Sequence, residues 1–281
     1  MRVAVTGSAG RIGAAVVADL AGRGHQVTGL DLRRGDHPGV RHLASDLTDA
    51  GHVYSGLAGA DAVVHLAAWS GAVPDTEVYT ANSAGVFHVL RACADLGIRR
   101  VVTASSAQVY GFKLSPPVYV PVDEDHPLRP QNSYSLAKIA GEEAASYFCE
   151  RQGLEAVTFR FMGIRRPEEI PPQIGPLRDD PASGVGLLWT RTDVRDAARA
   201  CTLAVEADSV EPGVYNLTGR STIASEETAV LVERLFGAAT EVREELPGRR
   251  SPMSCVKAEA AFGWRPAFVW TADGLAEAGA E

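Results

Sequence analysis

Tyr134 and Lys138 stand four residues apart in Asn132-Ser133-Tyr134-Ser135-Leu136-Ala137-Lys138, so on a helix both side chains project from one face. A phenol beside an ammonium is a poised acid/base, because the positive charge favours the phenolate and lowers a pKa that is otherwise about 10. Alone, such a pair is common on helix surfaces. Here it accompanies a glycine-rich loop, Thr6-Gly7-Ser8-Ala9-Gly10-Arg11-Ile12-Gly13, and a Ser105-Ser106-Ala107-Gln108-Val109-Tyr110-Gly111 segment between loop and pair. Together they describe proton transfer beside a bound dinucleotide.

The glycine loop follows an apolar strand and opens a helix, the setting in which such a motif holds phosphates. Gly7 allows a tight turn, Gly10 lets a pyrophosphate approach the backbone, and Gly13 lets helix and strand pack closely. The helix start then offers unbonded N–H groups and a positive dipole end. Asp31 ends the second strand, eighteen residues after Gly13, where a carboxylate accepts ribose hydroxyls and repels a 2′-phosphate. This favours NAD. Arg11, Arg33 and Arg34 keep NADP open as the alternative, since guanidinium groups hold a phosphate.

The elements that must position these residues alternate. Strands are predicted at Val3–Thr6, Gln26–Asp31, Val40–Ala44, Ala62–Leu66, Arg100–Ala104 and Ala156–Phe159, with helices at Ile12–Arg23, Asp49–Ala58, Val78–Leu96 and Tyr134–Gln152. Such alternation implies parallel βαβ units: an α/β, Rossmann-type doubly wound sheet. Residues 163–186 carry five prolines and read as an irregular loop. A helix at Asp193–Glu206, a strand at Gly213–Leu217, a helix at Ala224–Phe236 and a short tail follow. The domain reading is a dinucleotide-binding part over 1–160 and a small substrate cap over 161–281, interleaved with the sheet. The Pro-rich stretch Gly111–Gln131 is expected to cross the mouth of the site.

Composition narrows the partners. With 46% hydrophobic and 22% charged residues, 281 residues can bury a large core. A net charge of −8 gives no reason to expect nucleic acid or an anionic membrane surface, and no apolar run approaches the roughly 20 residues of a membrane span. Met1 leads directly into a strand rather than a signal peptide. The cysteines, Cys93, Cys149, Cys201 and Cys255, lie more than fifty residues apart, which argues against a metal site and for buried thiols in the cytoplasm.

These motifs resemble the extended short-chain dehydrogenase/reductase family, the NAD-dependent epimerase/dehydratase group. The match runs through Thr6–Gly13, Asp31, Asp46-Leu47, His65–Ala68, Asn82, Ser105–Gly111, Tyr134 and Lys138, with weaker similarity at Asp193-Val194, Gly213–Asn216 and Lys257–Pro266. The resemblance implies that Gly7, Ala9, Gly10, Arg11, Ile12, Gly13, Asp31, Asp46, Leu47, Leu66, Ala67, Ala68, Asn82, Tyr134 and Lys138 line the cofactor. It also implies that Ser106 holds the substrate oxygen while Tyr134 moves the proton and Lys138 binds the nicotinamide ribose. His65, within an apolar strand, reads as a core histidine.

Departures from the family narrow the chemistry further. Family dehydratases place Asp-Glu where this chain has Ala107 and Gln108, so dehydration is not expected. Nucleotide-sugar epimerases carry an asparagine where this chain has Gly163 in Arg160-Phe161-Met162-Gly163, and the cap is short. The expectation is therefore an NAD-dependent oxidoreductase acting on a small, polar, sugar-like molecule, with Trp69, Ser70, Ser106, Gln108 and Arg165 near the substrate. The alternatives are an epimerase that retains NADH and a non-catalytic cofactor sensor. The family pairs the helices matching Val78–Leu96 and Tyr134–Gln152 across a two-fold axis. A homodimer is thus expected, with Val86, Val89, Leu90, Ala144 and Ala145 serving both the internal and the dimer face.

Overall fold

The computed structural model describes residues 1–69 and 73–276. Ser70 lies outside the described residues. Along the first half run β1 (Arg2–Thr6), α1 (Arg11–Gly22), β2 (Gln26–Asp31), β3 (Arg41–Ala44), α2 (Ala50–Leu57), β4 (Ala62–His65), α3 (Asp75–Leu96), β5 (Arg100–Ser106), β6 (Tyr119–Val120) and α4 (Ser133–Gln152). Then come β7 (Glu155–Phe161), β8 (Ile164–Arg165), α5 (Pro171–Asp179), β9 (Thr192–Asp193), α6 (Val194–Glu206), β10 (Gly213–Leu217), α7 (Thr228–Leu235), β11 (Glu241–Val242), α8 (Val256–Phe262), β12 (Val269–Thr271) and β13 (Gly274–Ala276).

Seven strands form the central sheet in the order β10-β7-β5-β4-β1-β2-β3. β1 pairs in parallel with β2 on one side (Val5 opposite Gly29) and with β4 on the other (Val5 opposite Val64). Strand order therefore reverses between β1 and β4, and the crevice beyond their carboxyl ends is where such sheets bind ligands. The glycine loop leaves β1 there, and Leu66–Trp69 leaves β4.

The chain divides into two compact units. The first comprises Met1–Ser105, Asn132–Phe159 and Ala198–Val214; the second comprises Ser106–Gln131, Arg160–Ala197 and the chain from Tyr215 onward. In the first, Val53 and Leu57 of α2, Val86, Val89 and Leu90 of α3, and Ala145 and Phe148 of α4 share one apolar core with Leu30, Val63 and Val101 of the sheet. The residues expected to serve both an internal and a dimer face are thus internal, with Ala144 packed against the same core. The exposed apolar side chains of these helices are others: Tyr79 and Phe87 on α3, Leu136 and Tyr147 on α4.

The second unit buries Tyr110, Met162, Ile170, Trp189, Tyr215 and Trp264. Its charged groups also do structural work. Asp196 accepts hydrogen bonds from the Ala267 and Phe268 N–H groups at 2.8 and 3.0 Å. Residues 163–186 are not the irregular loop that five prolines suggested. They hold β8, α5 and two 3₁₀ turns, Pro167–Glu169 and Pro181–Leu187. Pro171 and Pro172 occupy the first two positions of α5, where a missing N–H costs nothing and a fixed φ favours the helix. The segment 111–131 supplies β6, which pairs with β11, and the tail forms the β12–β13 hairpin. No described helix is long and apolar enough to cross a membrane.

Candidate active site

The glycine loop has the geometry that its sequence demands. Gly7 has φ +69°, and a Cβ there would sit 2.6 Å from the Ala67 nitrogen. At Gly13 a Cβ would lie 2.0 Å from the Gly7 carbonyl oxygen, so only glycine lets α1 close onto the loop. Gly10 donates its N–H to that carbonyl at 2.9 Å and caps α1 without any side-chain hydrogen bond. The first N–H groups of α1, at Arg11, Ile12 and Gly13, therefore have no capping side chain. That is the anion-binding arrangement of a helix N-terminus.

Beside the loop lies a cleft of about 430 Å³ within the first unit. Asp31 stands on its wall. One carboxylate oxygen accepts from the Ala9 N–H at 3.0 Å and the other from the Arg33 N–H at 3.0 Å. Each oxygen keeps capacity for a further donor, as two ribose hydroxyls require. Ala9 thus anchors the loop to β2, and Arg33 lines the same cleft. Across from them Asp46 accepts from the Thr48 N–H and hydroxyl at 2.9 and 2.8 Å, which hold its carboxyl below the usual range. Leu47 and Leu66–Ala68 supply apolar wall. A glycine cradle, an uncapped helix start and a carboxylate at the ribose position fit a dinucleotide.

Asn82, from α3, also faces the cleft, but both ends of its amide are engaged. Its oxygen accepts from the Trp69 N–H at 2.7 Å and its nitrogen donates to the Trp69 carbonyl at 2.9 Å. It fastens the exit of β4. The Trp69 side chain is about half exposed, at 46%.

Tyr134 and Lys138 occupy the first two turns of α4, which opens with a capping box between Asn132 and Ser135. The Lys138 ammonium lies 5.5 Å from the centre of the Tyr134 ring and donates to the Ala104 carbonyl on β5 at 2.7 Å. Burial pushes its pKa down to about 8, against the opposing pull of Glu142. Glu142, one turn further along the same face, accepts the Ser105 hydroxyl. His65 is buried, shares a 2.8 Å hydrogen bond with Thr6 Oγ1, and is pushed to about 3 by burial and then by Lys138. It stays neutral at physiological pH, as a core histidine should.

Ser106 belongs to the second unit, where its Oγ accepts from the Gln108 N–H at 3.2 Å and starts a 3₁₀ turn over Ala107–Tyr110. Gln108 is exposed, and Arg165 is half-buried on β8. The first unit thus gathers Gly7, Gly10, Asp31, Asp46, Leu47, Leu66–Ala68 and Asn82 around one cleft, with Tyr134 and Lys138 on α4. Glu142 escaped the sequence reading, although it repeats the four-residue spacing that picked out Lys138. Among the described residues no group of three or more His, Cys, Asp or Glu could hold a metal.

Comparison with known proteins agrees with this geometry. Residues 3–167 match the model of the NAD-dependent epimerase/dehydratase family, and the chain belongs to that family. A uronate dehydrogenase of Pseudomonas syringae pv. tomato is 34% identical over 172 residues, covering 59% of this chain and 60% of the relative. The match thus spans about three-fifths of that relative's length. A dTDP-glucose 4,6-dehydratase of Streptomyces griseus is 32% identical over 308 aligned positions, covering 97% of this chain and 91% of the relative. Among solved structures, a short-chain dehydrogenase/reductase superfamily protein from Agrobacterium tumefaciens with bound NAD superposes with a TM-score of 0.74 at 26% identity, covering 95% of this chain and 92% of that one.

Proposed function

We propose that this protein is an NAD-dependent oxidoreductase that exchanges hydride with a hydroxyl or carbonyl of a small, polar, sugar-like substrate. The observation that carries the reading is the buried Lys138 ammonium beside Tyr134, fixed to the Ala104 carbonyl at 2.7 Å. A cofactor sensor has no use for a proton relay. NAD, when bound, supplies the hydride acceptor. Tyr134 removes the hydroxyl proton, Lys138 keeps the phenolate accessible by its charge, and Ser106 holds the substrate oxygen. Asp31 takes the adenosine ribose and the start of α1 takes the pyrophosphate.

Ala107 and Gln108, directly after Ser106, offer no carboxyl group to eliminate water, which separates this chain from dehydratase chemistry. The four described cysteines are free thiols, in keeping with a cytoplasmic protein. Tyr79, Phe87, Leu136 and Tyr147 form the apolar surface through which two copies pair as a homodimer. Light scattering at micromolar concentration should give twice the monomer mass.

The activity test is incubation with NAD and a panel of sugars, sugar acids and nucleotide sugars, following NADH absorbance and product stereochemistry. NADH accumulating with substrate consumed is the expected result. Inverted product without net NADH would replace this reading with an epimerase.

A further inference from the structure

The connection from β2 to β3 leaves part of the sheet without its usual cover. Parallel neighbours are ordinarily joined by a crossover of about a dozen residues or more that contains a helix. β1, β2 and β3 lie side by side in chain order, so both of their connections pass over the same face of the sheet. α1 provides the first, whereas residues 32–40 form no helix and cross as a bare strap. Between α1 and the strap lies a cavity of about 480 Å³, wholly within the first unit. It is distinct from the nucleotide cleft, and Arg33 lines both.

The polar groups around this cavity lack partners. Ser8 is buried, at 2% exposure, and its hydroxyl makes no hydrogen bond among the described residues. The His42 imidazole is wedged between two glycines. A Cβ at Gly29 would lie 2.7 Å from both its Nδ1 and the Ser8 Oγ, and one at Gly35 would lie 2.4 Å from its Cε1. Ser8 and His42 therefore stand side by side, and both ring nitrogens are buried and unpartnered too. Such groups are rare in folded proteins and call for a ligand or another explanation. Arg33 and Arg34 join them in the lining. The Arg33 guanidinium reaches only the Ala9 carbonyl, at 3.5 Å, and Arg34 pairs with no carboxylate among the described residues. Asp36 is the one acid of the lining, against two arginines and two histidines.

We propose that this cavity is a second ligand site, for a small organic phosphate monoester that is no part of the dinucleotide. Two guanidinium forks match the double charge and the several oxygens of a phosphomonoester, and the Ser8 hydroxyl and a His42 N–H add neutral donors. A carboxylate has one charge and two oxygens, and would leave one arginine unused. The cavity is larger than a bare phosphate, and Ala14 and Val17 of α1 give it an apolar wall for a small organic body. The 2′-phosphate of a dinucleotide is the poorer occupant. Asp31 stands at the ribose position, held there by the Ala9 and Arg33 N–H groups at 3.0 Å each, and its carboxylate repels a second anion at that hydroxyl.

The test is calorimetric titration of inorganic phosphate and of phenyl phosphate into the full chain saturated with NAD, at fixed ionic strength. At about pH 7.5 both probes are mostly dianions. Saturating NAD occupies the glycine loop, so phosphate bound there does not contribute. Each probe should bind at one site, phenyl phosphate at least about threefold more tightly because its ring meets the apolar wall, with a dissociation constant below about 1 mM. Arg34→Gln should weaken binding by about tenfold and Ser8→Ala by about threefold, the weights of a charge-assisted and a neutral hydrogen bond. Arg34 is exposed, so its replacement leaves the fold intact. No binding to the NAD-loaded chain at about 10 mM, or binding that neither substitution weakens, would overturn the proposal. So would NADP that binds more tightly than NAD and displaces phenyl phosphate, because the arginines would then serve the dinucleotide itself.

Discussion

Two buried cations, one in each unit, are treated in opposite ways. Lys138 has an internal counterweight: Glu142 sits one helical turn away and favours its charged form. Arg191 has Gln173, an amide of nearly the same shape as a glutamate but without the charge. The difference is one of charge compensation: the fold places a carboxylate beside Lys138 and a neutral amide beside Arg191.

The largest expected effect lies on the Lys138 side. Tyr134→Phe removes the hydroxyl beside the ammonium, and turnover should fall by roughly 10²–10⁴-fold while the fold and NAD binding persist. Near-normal turnover on the true substrate would remove the reason for Lys138 to be charged at all.

Next in size is Gln173→Glu, which gives Arg191 the acid it lacks. Pairing of the buried charges should raise the melting temperature by about 2–4 °C, corresponding to about 1 kcal/mol. A fall in melting temperature instead would mean that the neutral amide of Gln173 suits the packing around Arg191 better than a carboxylate.

The smallest effect comes from removing the acid that Lys138 has. With its pKa near 8, Lys138 loses its proton as pH rises through that value, and activity should decline on the alkaline side. Glu142→Gln should move that decline to lower pH by roughly one pH unit, costing a few-fold in turnover at pH 8. Stability runs the other way. The folded pKa lies below the ordinary 10.5, so the folded chain binds fewer protons between about 8 and 10.5. Across that window the contribution of Lys138 to stability rises with pH while activity falls. A pH–rate profile and melting curves on the same samples would show whether the two diverge.

Much of this was open to sequence reasoning, for identifiable reasons. The glycine loop, Asp31 and the Tyr134–Lys138 spacing are local patterns, and backbone sterics turn them into geometry without help from distant residues. The alternation of apolar runs located every strand of the sheet. Local rules failed at 163–186, where prolines signalled irregularity but Pro171 and Pro172 instead begin α5. They failed again at α3 and α4, where apolar residues such as Val86 and Leu90 gave no sign of whether they face the core or a partner. Arg191 was illegible for a deeper reason. Its burial and its lack of an acid are properties of everything that did not pack beside it, and no spacing encodes an absence.

The double hydrogen bond between Asn82 and Trp69 carries a last consequence. α3 holds the exit of β4 at the nucleotide cleft through Asn82 and, further along the same 22-residue rod, exposes Phe87. In an assembly joined through that exposed face, a displacement of α3 would be felt at both ends. The amount of enzyme in the vessel would then become a variable in its own affinity for nucleotide: dilution would loosen cofactor and subunits together, and NAD would draw scattered copies back into pairs.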